Sequence, residues 1–314
     1  MRFDCKEDII QMTPKWKGDR FDNGRPRVPD SLLKRIAANT ITEIWKPLYI
    51  RGYKYQFERA LRRTNPDREV MCGRAVTAAF IPTRPDLHKY LLEYGHTEEG
   101  RKGNFNQWAI EGLVRDDVLI YDMKDKVYEG CPLGGNLTNV IASKTGQGAI
   151  TWGGMRDLEQ VVEIKTAQFY YRDTDPTPFM DTMLIGINVP VKIGAAVCLP
   201  GDIVLGTMSG VLFIPPHLAE IAAVDAEKAH IRDIWGFIRV KEGKFTAAQV
   251  DSAWEIGMWE DFSDWFKKAK DAEPYQHLNF DLEMEDCRNG VVRKGMAQIN
   301  EDEEDPDPNK ATRW

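Results

Sequence analysis

Two neighbouring residues of opposite charge, Arg156 and Asp157, follow the apolar run AITWGGM in a sequence of 314 residues. A guanidinium can clamp a carboxylate through two parallel hydrogen bonds, and a carboxylate can hold a hard divalent cation. Adjacent Arg and Asp residues also form surface ion pairs of small energetic worth, so both readings stand at this point. A second feature lies upstream, where Gly134 and Gly135 of PLGGNL open a helical stretch. Free backbone N–H groups and the positive end of the helix dipole attract carboxylate or phosphate there. The alternative is a tight turn that needs glycine for its backbone angles. Asn136 either caps this helix or offers its amide to a substrate hydroxyl.

Other chemistries find no support in the motifs. GxGxxG, GxxxxGK[ST], GxSxG and HExxH are all absent, and the five histidines (His88, His96, His217, His230, His277) are scattered. His217 and His230 read as capping or solvent-facing residues. The five cysteines (Cys5, Cys72, Cys131, Cys198, Cys287) are odd in number and form no CxxC pair, which predicts reduced thiols and a cytoplasmic location. A formal charge of −7 argues against a general electrostatic grip on nucleic acid. No apolar run reaches the roughly 20 residues of a membrane helix, so no membrane association is expected. Charges in MRFDCKEDIIQM stand where a secretory signal would be apolar. The nine tryptophans, among them Trp235, Trp254, Trp259 and Trp265, are expected to pack on the core or at a subunit interface.

The elements that must position Arg156 and Asp157 follow from spacing. Residues 1–29 read as an irregular aromatic arm that lies on something, and 31–45 as one amphipathic helix capped by Asp30 or Ser31. CGRAVTAAFI (72–81) and DDVLIYDM (116–123) read as buried strands, with a short helix NQWAIEGLV between them. Residues 130–161 then form a βαβ-type unit: glycine turn, helix over 136–144, closing GQG turn, strand AITW, and a loop carrying Arg156 and Asp157. This puts the pair at the carboxyl end of a strand, where open α/β sheets gather ligand groups. Short β runs separated by Gly and Pro fill 183–216, an amphipathic helix spans 217–240, and a second helix follows from Thr246. Beyond 271 no core is expected, and 301–308, with six acidic residues and two prolines, reads as a disordered or docking tail.

These segments in order, CGRAVTAAFIPTRPD, DDVLIYDM, GGNLTNVIASKTGQGAITWGGMRDLEQ and INVPVKIGAAVCLPGDIVLGTMSGVLFIPP, resemble the RraA-like family over about residues 30–255. That family includes 4-hydroxy-4-methyl-2-oxoglutarate aldolases and regulators of ribonuclease activity. The resemblance implies an α/β fold, a three-layer β/β/α swivelling domain, here divided as arm 1–29, core 30–255 and C-terminal helix with acidic tail 256–314. It implies homotrimers or hexamers with sites between subunits. It further implies Arg156 on the carboxylate and carbonyl of a small oxo acid, Asp157 on Mg²⁺ or Mn²⁺, and backbone donors from Gly134, Gly135, Asn136 and Leu137. An acid from the neighbouring subunit matches Asp233, with Glu227 as the alternative. The implied activity is metal-dependent cleavage of a 4-hydroxy-2-oxo acid or related sugar acid to pyruvate or a similar product. Two departures stand out: the aldolases carry Asp or Glu where this chain has Gly135, and Asp where it has Thr207. They motivate a second expectation, a non-catalytic regulatory protein that works through protein contacts.

Overall fold

The computed structural model describes residues 3–291. Along the chain run α1 (Lys6–Met12), α2 (Asp30–Ala37), α3 (Ile41–Ile50), the two-residue strands β1 (Phe57–Glu58) and β2 (Arg62–Arg63), β3 (Met71–Pro82), α4 (Pro85–Thr97) and α5 (Phe105–Glu111). There follow β4 (Asp117–Lys126), α6 (Gly135–Thr145), β5 (Gly148–Met155), α7 (Leu158–Val161), β6 (Gln168–Thr174), β7 (Thr182–Ile187), β8 (Val191–Ile193), β9 (Ala196–Cys198), β10 (Ile203–Thr207) and β11 (Gly210–Ile214). The last helices are α8 (Ala219–Lys241), α9 (Ala247–Val250), α10 (Ile256–Phe266) and α11 (Asp281–Arg288). The chain divides into two compact units: residues up to Ala37 with Tyr55–Ala219, and Ala38–Lys54 with the residues from Glu220 on. These limits fall elsewhere than the sequence-based ones at 29 and 255.

The first unit is a mixed α/β structure. Its nine-stranded sheet runs β1-β11-β10-β3-β4-β5-β6-β2, with β7 pairing β3 beside this path. The four central strands β3, β4, β5 and β6 are parallel to one another. Alternation along each strand separates two cores, because successive side chains point to opposite faces. Val76, Ala78, Phe80, Leu119 and Tyr121 face the helical side with Phe105, Trp108 and Ile141. Ala75, Ala79, Val118 and Ile120 face the opposite side with Val191, Ile193, Ala196 and Cys198 of the small β8–β9 hairpin. Hairpin, sheet and helices thus make three layers. Strands β3 and β4 are buried on both faces over most of their length, as in parallel sheets covered on each side.

Several local expectations are corrected. The helix expected over 31–45 is two helices, because Thr40 and Glu43 close a capping box that starts α3 anew. The arm is not wholly irregular: it contains α1, Phe3 packs edge-on against Trp108 at 5.1 Å, and Arg25 grips Asp117 through two hydrogen bonds of 2.7 and 2.9 Å. The expected second C-terminal helix breaks into α9 and α10.

The second unit is helical. Trp235, Trp254, Trp259, Phe262, Phe266 and Phe280 form its core, and Trp265 packs against it half-buried. Ala272, Leu278 and Phe280 belong to this core, which overturns the expectation of none beyond 271; the acidic run 301–308 lies outside the described residues. The physical reason is that three sparse apolar residues suffice when an aromatic cluster is already there to receive them. No helix among the described residues is long and apolar enough to cross a membrane.

Candidate functional site

The site grows from the carboxyl end of β5. Gly153 and Gly154 let the loop after β4 lie directly on this strand: a Cβ on Gly154 would meet Cys131 Sγ and, at 2.7 Å, the carbonyl oxygen of Val127. Gly154 N–H donates to Gly130 O at 3.0 Å, and Arg156 N–H donates to Leu133 O at 3.3 Å. These two bonds tie the loop that leads into α6 to the loop that leaves β5. The glycine turn and the Arg-Asp pair, separated in sequence by the whole α6–β5 hairpin of chain, are thereby held side by side.

Asp157 adopts the left-handed conformation, φ 55° and ψ 39°, at the start of α7. This conformation is unfavourable for a residue with a side chain, although Asp tolerates it better than most. Its carboxylate does not cap α7. Instead Oδ2 accepts from Gly135 N–H at 3.1 Å, at the amino end of α6. The Arg156 Nε stands 3.9 Å from the same oxygen, and both side chains are 39% exposed. A Cβ on Gly134 would overlap Asp157 Oδ2 and come within 3.0 Å of Arg156 Nε, so glycine is required for this close approach rather than for its backbone angles. Among the described residues, Asp157 is the one ionic partner of the Arg156 guanidinium, and that contact is long.

The first turn of α6 supplies backbone donors as expected, with one difference. Gly135 N–H is engaged by Asp157, and Thr138 N–H bonds Gly134 O at 3.1 Å, which leaves the Asn136 and Leu137 amides as the open donors of this turn. Gly134 is the N-cap residue, so Asn136 sits inside the helix, exposed, and does not cap it. Leu137 packs its side chain against the helical-side core.

Gln160 escaped the sequence reading. A Cβ on Gly135 would overlap its Oε1, so the carboxamide lies against the same glycine whose N–H holds Asp157. The signal was present in the spacing: D-x-x-Q over 157–160 has the form of a capping box. Here both side chains of that box turn away from α7 to the amino end of α6. Cys131, which borders the site, is buried, and burial pushes its thiol up to about 11, so it is no nucleophile at neutral pH.

The donor set can be tested against a metal. Among the described residues no three His, Cys, Asp or Glu side chains gather as a metal-binding group. Asp157 offers one carboxylate, 39% exposed, whose Oδ1 has no hydrogen bond from the described residues. A single carboxylate with open access to water fits Mg²⁺, which keeps much of its water and takes one or two protein carboxylates. It does not fit a cation caged by protein alone. Asp233 lies exposed on α8 and belongs to the second unit. Glu227 is buried and accepts from His277 Nε2 at 3.0 Å within that unit. His230 is neither cap nor free, since its Nδ1 meets Glu43 Oε1 at 3.0 Å. Thr207 closes the β10–β11 turn, its hydroxyl accepting from Ser209 N–H at 3.1 Å.

Among curated proteins none matches this sequence. Solved structures of similar fold include an uncharacterized protein from Pseudomonas syringae pv. tomato, with TM-score 0.57 and 16% identity over 72% of this chain and 100% of the other. Streptomyces coelicolor RraAS2, described as an unusual member of the RNase ES inhibitor RraA protein family, aligns with TM-score 0.55 and 19% identity over 68% and 97%. A structure described among novel cellulases from gut-associated microbes gives 0.54 and 19% over 76% and 96%. At such identities these likenesses speak for the fold. The family profile RraA-like, Aldolase/RraA, matches residues 39–213, more than half of the chain, and the protein therefore belongs to the RraA-like family.

Proposed function

We propose that the protein is a divalent-metal-dependent lyase that cleaves a 4-hydroxy-2-oxo acid, or a related sugar acid, to pyruvate or a similar product. The observation that carries this reading is the 3.1 Å bond from Gly135 N–H to Asp157 Oδ2, which fixes a carboxylate beside an Arg156 guanidinium with most of its donors open. In this reading Arg156 clamps the carboxylate and carbonyl of the oxo acid, and Asn136 and Leu137 N–H groups add donors at the positive end of α6. Gly134 keeps the space beside them clear, and the Gly135 N–H holds Asp157 through Oδ2. Mg²⁺ or Mn²⁺ at Asp157, when bound, supplies Lewis-acid stabilisation of the negative charge that develops on the carbonyl oxygen. Assembly into a trimer or hexamer would bring Asp233 of a neighbouring subunit to the site, as the family resemblance implies.

The test is a screen of 4-hydroxy-2-oxo acids and oxaloacetate for pyruvate release with Mg²⁺ or Mn²⁺. Arg156→Ala and Asp157→Asn should each abolish the release, Asn being chosen because it tolerates the left-handed backbone. Unchanged turnover in both variants overturns the reading. Gel filtration should give a trimer or hexamer, and a monomer overturns the shared site.

A second reading, a regulatory protein that binds partners without catalysis, draws on one observation. Gly135 contributes no carboxylate, and its N–H is already taken by Asp157. Under that reading no pyruvate is released, and Mn²⁺ binding is the same in the wild type and in Asp157→Asn.

A further inference from the structure

Gln160 is a polar side chain at the glycine turn that the proposed chemistry leaves without a task, and its placement is specific. Its backbone N–H bonds Asp157 O at 2.9 Å, which seats it one turn after the pair. Its side chain is exposed and makes no hydrogen bond with any described residue. Its Oε1 nevertheless rests against Gly135 rather than extending into water, in the space that any other residue at 135 would fill with its Cβ. A local role in capping α7 would bring the carboxamide back to the Asp157 N–H. The carboxamide lies instead on the other element of the site, against Gly135, the residue whose N–H holds Asp157.

A carboxamide here has a definite electrostatic consequence. The turn then carries one negative group, Asp157, against Arg156 and the positive end of α6. An acid in place of the amide would add a second negative charge against the same glycine that holds the first, and like charges brought to one residue repel. The amide also keeps an N–H₂ donor free for an oxygen of a bound molecule.

We infer that Gln160 is a specificity-determining residue of this site: its neutral carboxamide contacts the bound acid and lets the site accept a second negative charge on it. This rests on the reading of Arg156 as the clamp for a carboxylate.

The experiment is calorimetric binding of oxalate, a dianion, and pyruvate, a monoanion, in the presence of Mg²⁺ by the full chain. Gln160→Glu should weaken oxalate about 10-fold more than pyruvate, because the added charge opposes the second carboxylate. Gln160→Ala should weaken both by about 3-fold, the loss of one ordinary hydrogen bond. Gly135→Ala should reproduce Gln160→Ala, since its methyl evicts the carboxamide while the backbone there is accessible to alanine. As a readout independent of the acids, Gln160→Glu should raise Mn²⁺ affinity, followed by the loss of the free-ion paramagnetic resonance signal. An unchanged oxalate-to-pyruvate ratio in Gln160→Glu, with binding still weakened by Arg156→Ala, overturns the inference and leaves the clamp intact. Absence of both acids from the wild type, or binding indifferent to Arg156→Ala, overturns the clamp and the inference with it.

Discussion

The carboxyl end of β5 and the helical unit both gather arginines and acids, and they treat them in opposite ways. At the β5 end, Arg156 and Asp157 are each 39% exposed and are held by backbone: a left-handed residue, a glycine N–H and two loops tied together. In the helical unit, Arg232 lies over the rings of Trp254 and Trp259, 4.3 and 5.1 Å from their centroids, and Lys228 meets Glu283 at 2.7 Å with both side chains about nine-tenths buried. Asp225 is buried there with Arg51 at 3.8 Å, and burial pushes its carboxyl up to about 7. Strongly shifted acids thus sit in packed interior, in this unit and at Asp202 just before β10, while the pair of the candidate site keeps its access to water. A perturbed pKa often marks a functional site, but structural burial perturbs it too, and here geometry separates the two.

The largest effect that would sharpen this contrast is Trp235→Ala. Trp235 is fully buried and its Nε1 donates to Asp261 Oδ1 at 2.9 Å. Its removal should cost about 3–5 kcal/mol in urea unfolding, as for other buried aromatic truncations, and leave oxalate binding by the folded protein intact. Loss of that binding in a variant that remains folded would break the contrast. Arg156→Ala should do the reverse, weakening oxalate by about 10- to 100-fold through the lost charged hydrogen bonds. Its stability should stay within about 0.5 kcal/mol of the wild type, the range of exposed substitutions. Gly134→Ala comes next, because its methyl displaces Asp157 Oδ2 and crowds Arg156 Nε. It should weaken both Mn²⁺ and oxalate by about 10-fold, the lower end of the loss seen when groups that orient a metal ligand are disturbed.

The smallest effect is on pH. Asp202 is buried, accepts from Leu199 N–H at 2.8 Å, and is pushed up to about 7 by burial. Its unfolded value is about 3.9. Between these values the folded protein holds a proton that the unfolded chain releases, so its contribution to stability falls as pH rises from about 4 to about 7 and is level above. Asp202→Asn should remove this slope: the melting temperature of the wild type should drop relative to the variant between pH 5 and pH 7.5. A constant difference over that range would show that Asp202 does not titrate there.

The legible parts of the molecule were those set by local rules. β3 is legible from its small and β-branched residues and the prolines that end it, β4 from the run DDVLIYDM, and the glycine turn, α6 and its Gly146 closure, left-handed at φ 68°, from spacing. The break between α2 and α3 was missed because apolar spacing runs through it, although Thr40-x-x-Glu43 carried the signal. Helix α4 went unread despite Pro85 at its first position, a common helix start. In the candidate site, Arg156 and Asp157 could be singled out from type and position, and their expected roles from the family resemblance. Gln160 could not, because D-x-x-Q has a local meaning as a cap, and only the path of the chain through α6 turns that side chain elsewhere.

By itself, then, the sequence determined the βαβ order, the strand end that carries Arg156 and Asp157, and the glycine turn that opens α6, since each depends on residues near one another in the chain. Tertiary structure alone decided that Asp157 bonds Gly135, that the first turn of α6 keeps its Asn136 and Leu137 amides open, that Gln160 lies against Gly135, and that Leu278 and Phe280 enter an aromatic core. Those outcomes depend on which distant backbones pack within hydrogen-bond or van der Waals reach, and neither spacing nor composition encodes that distance.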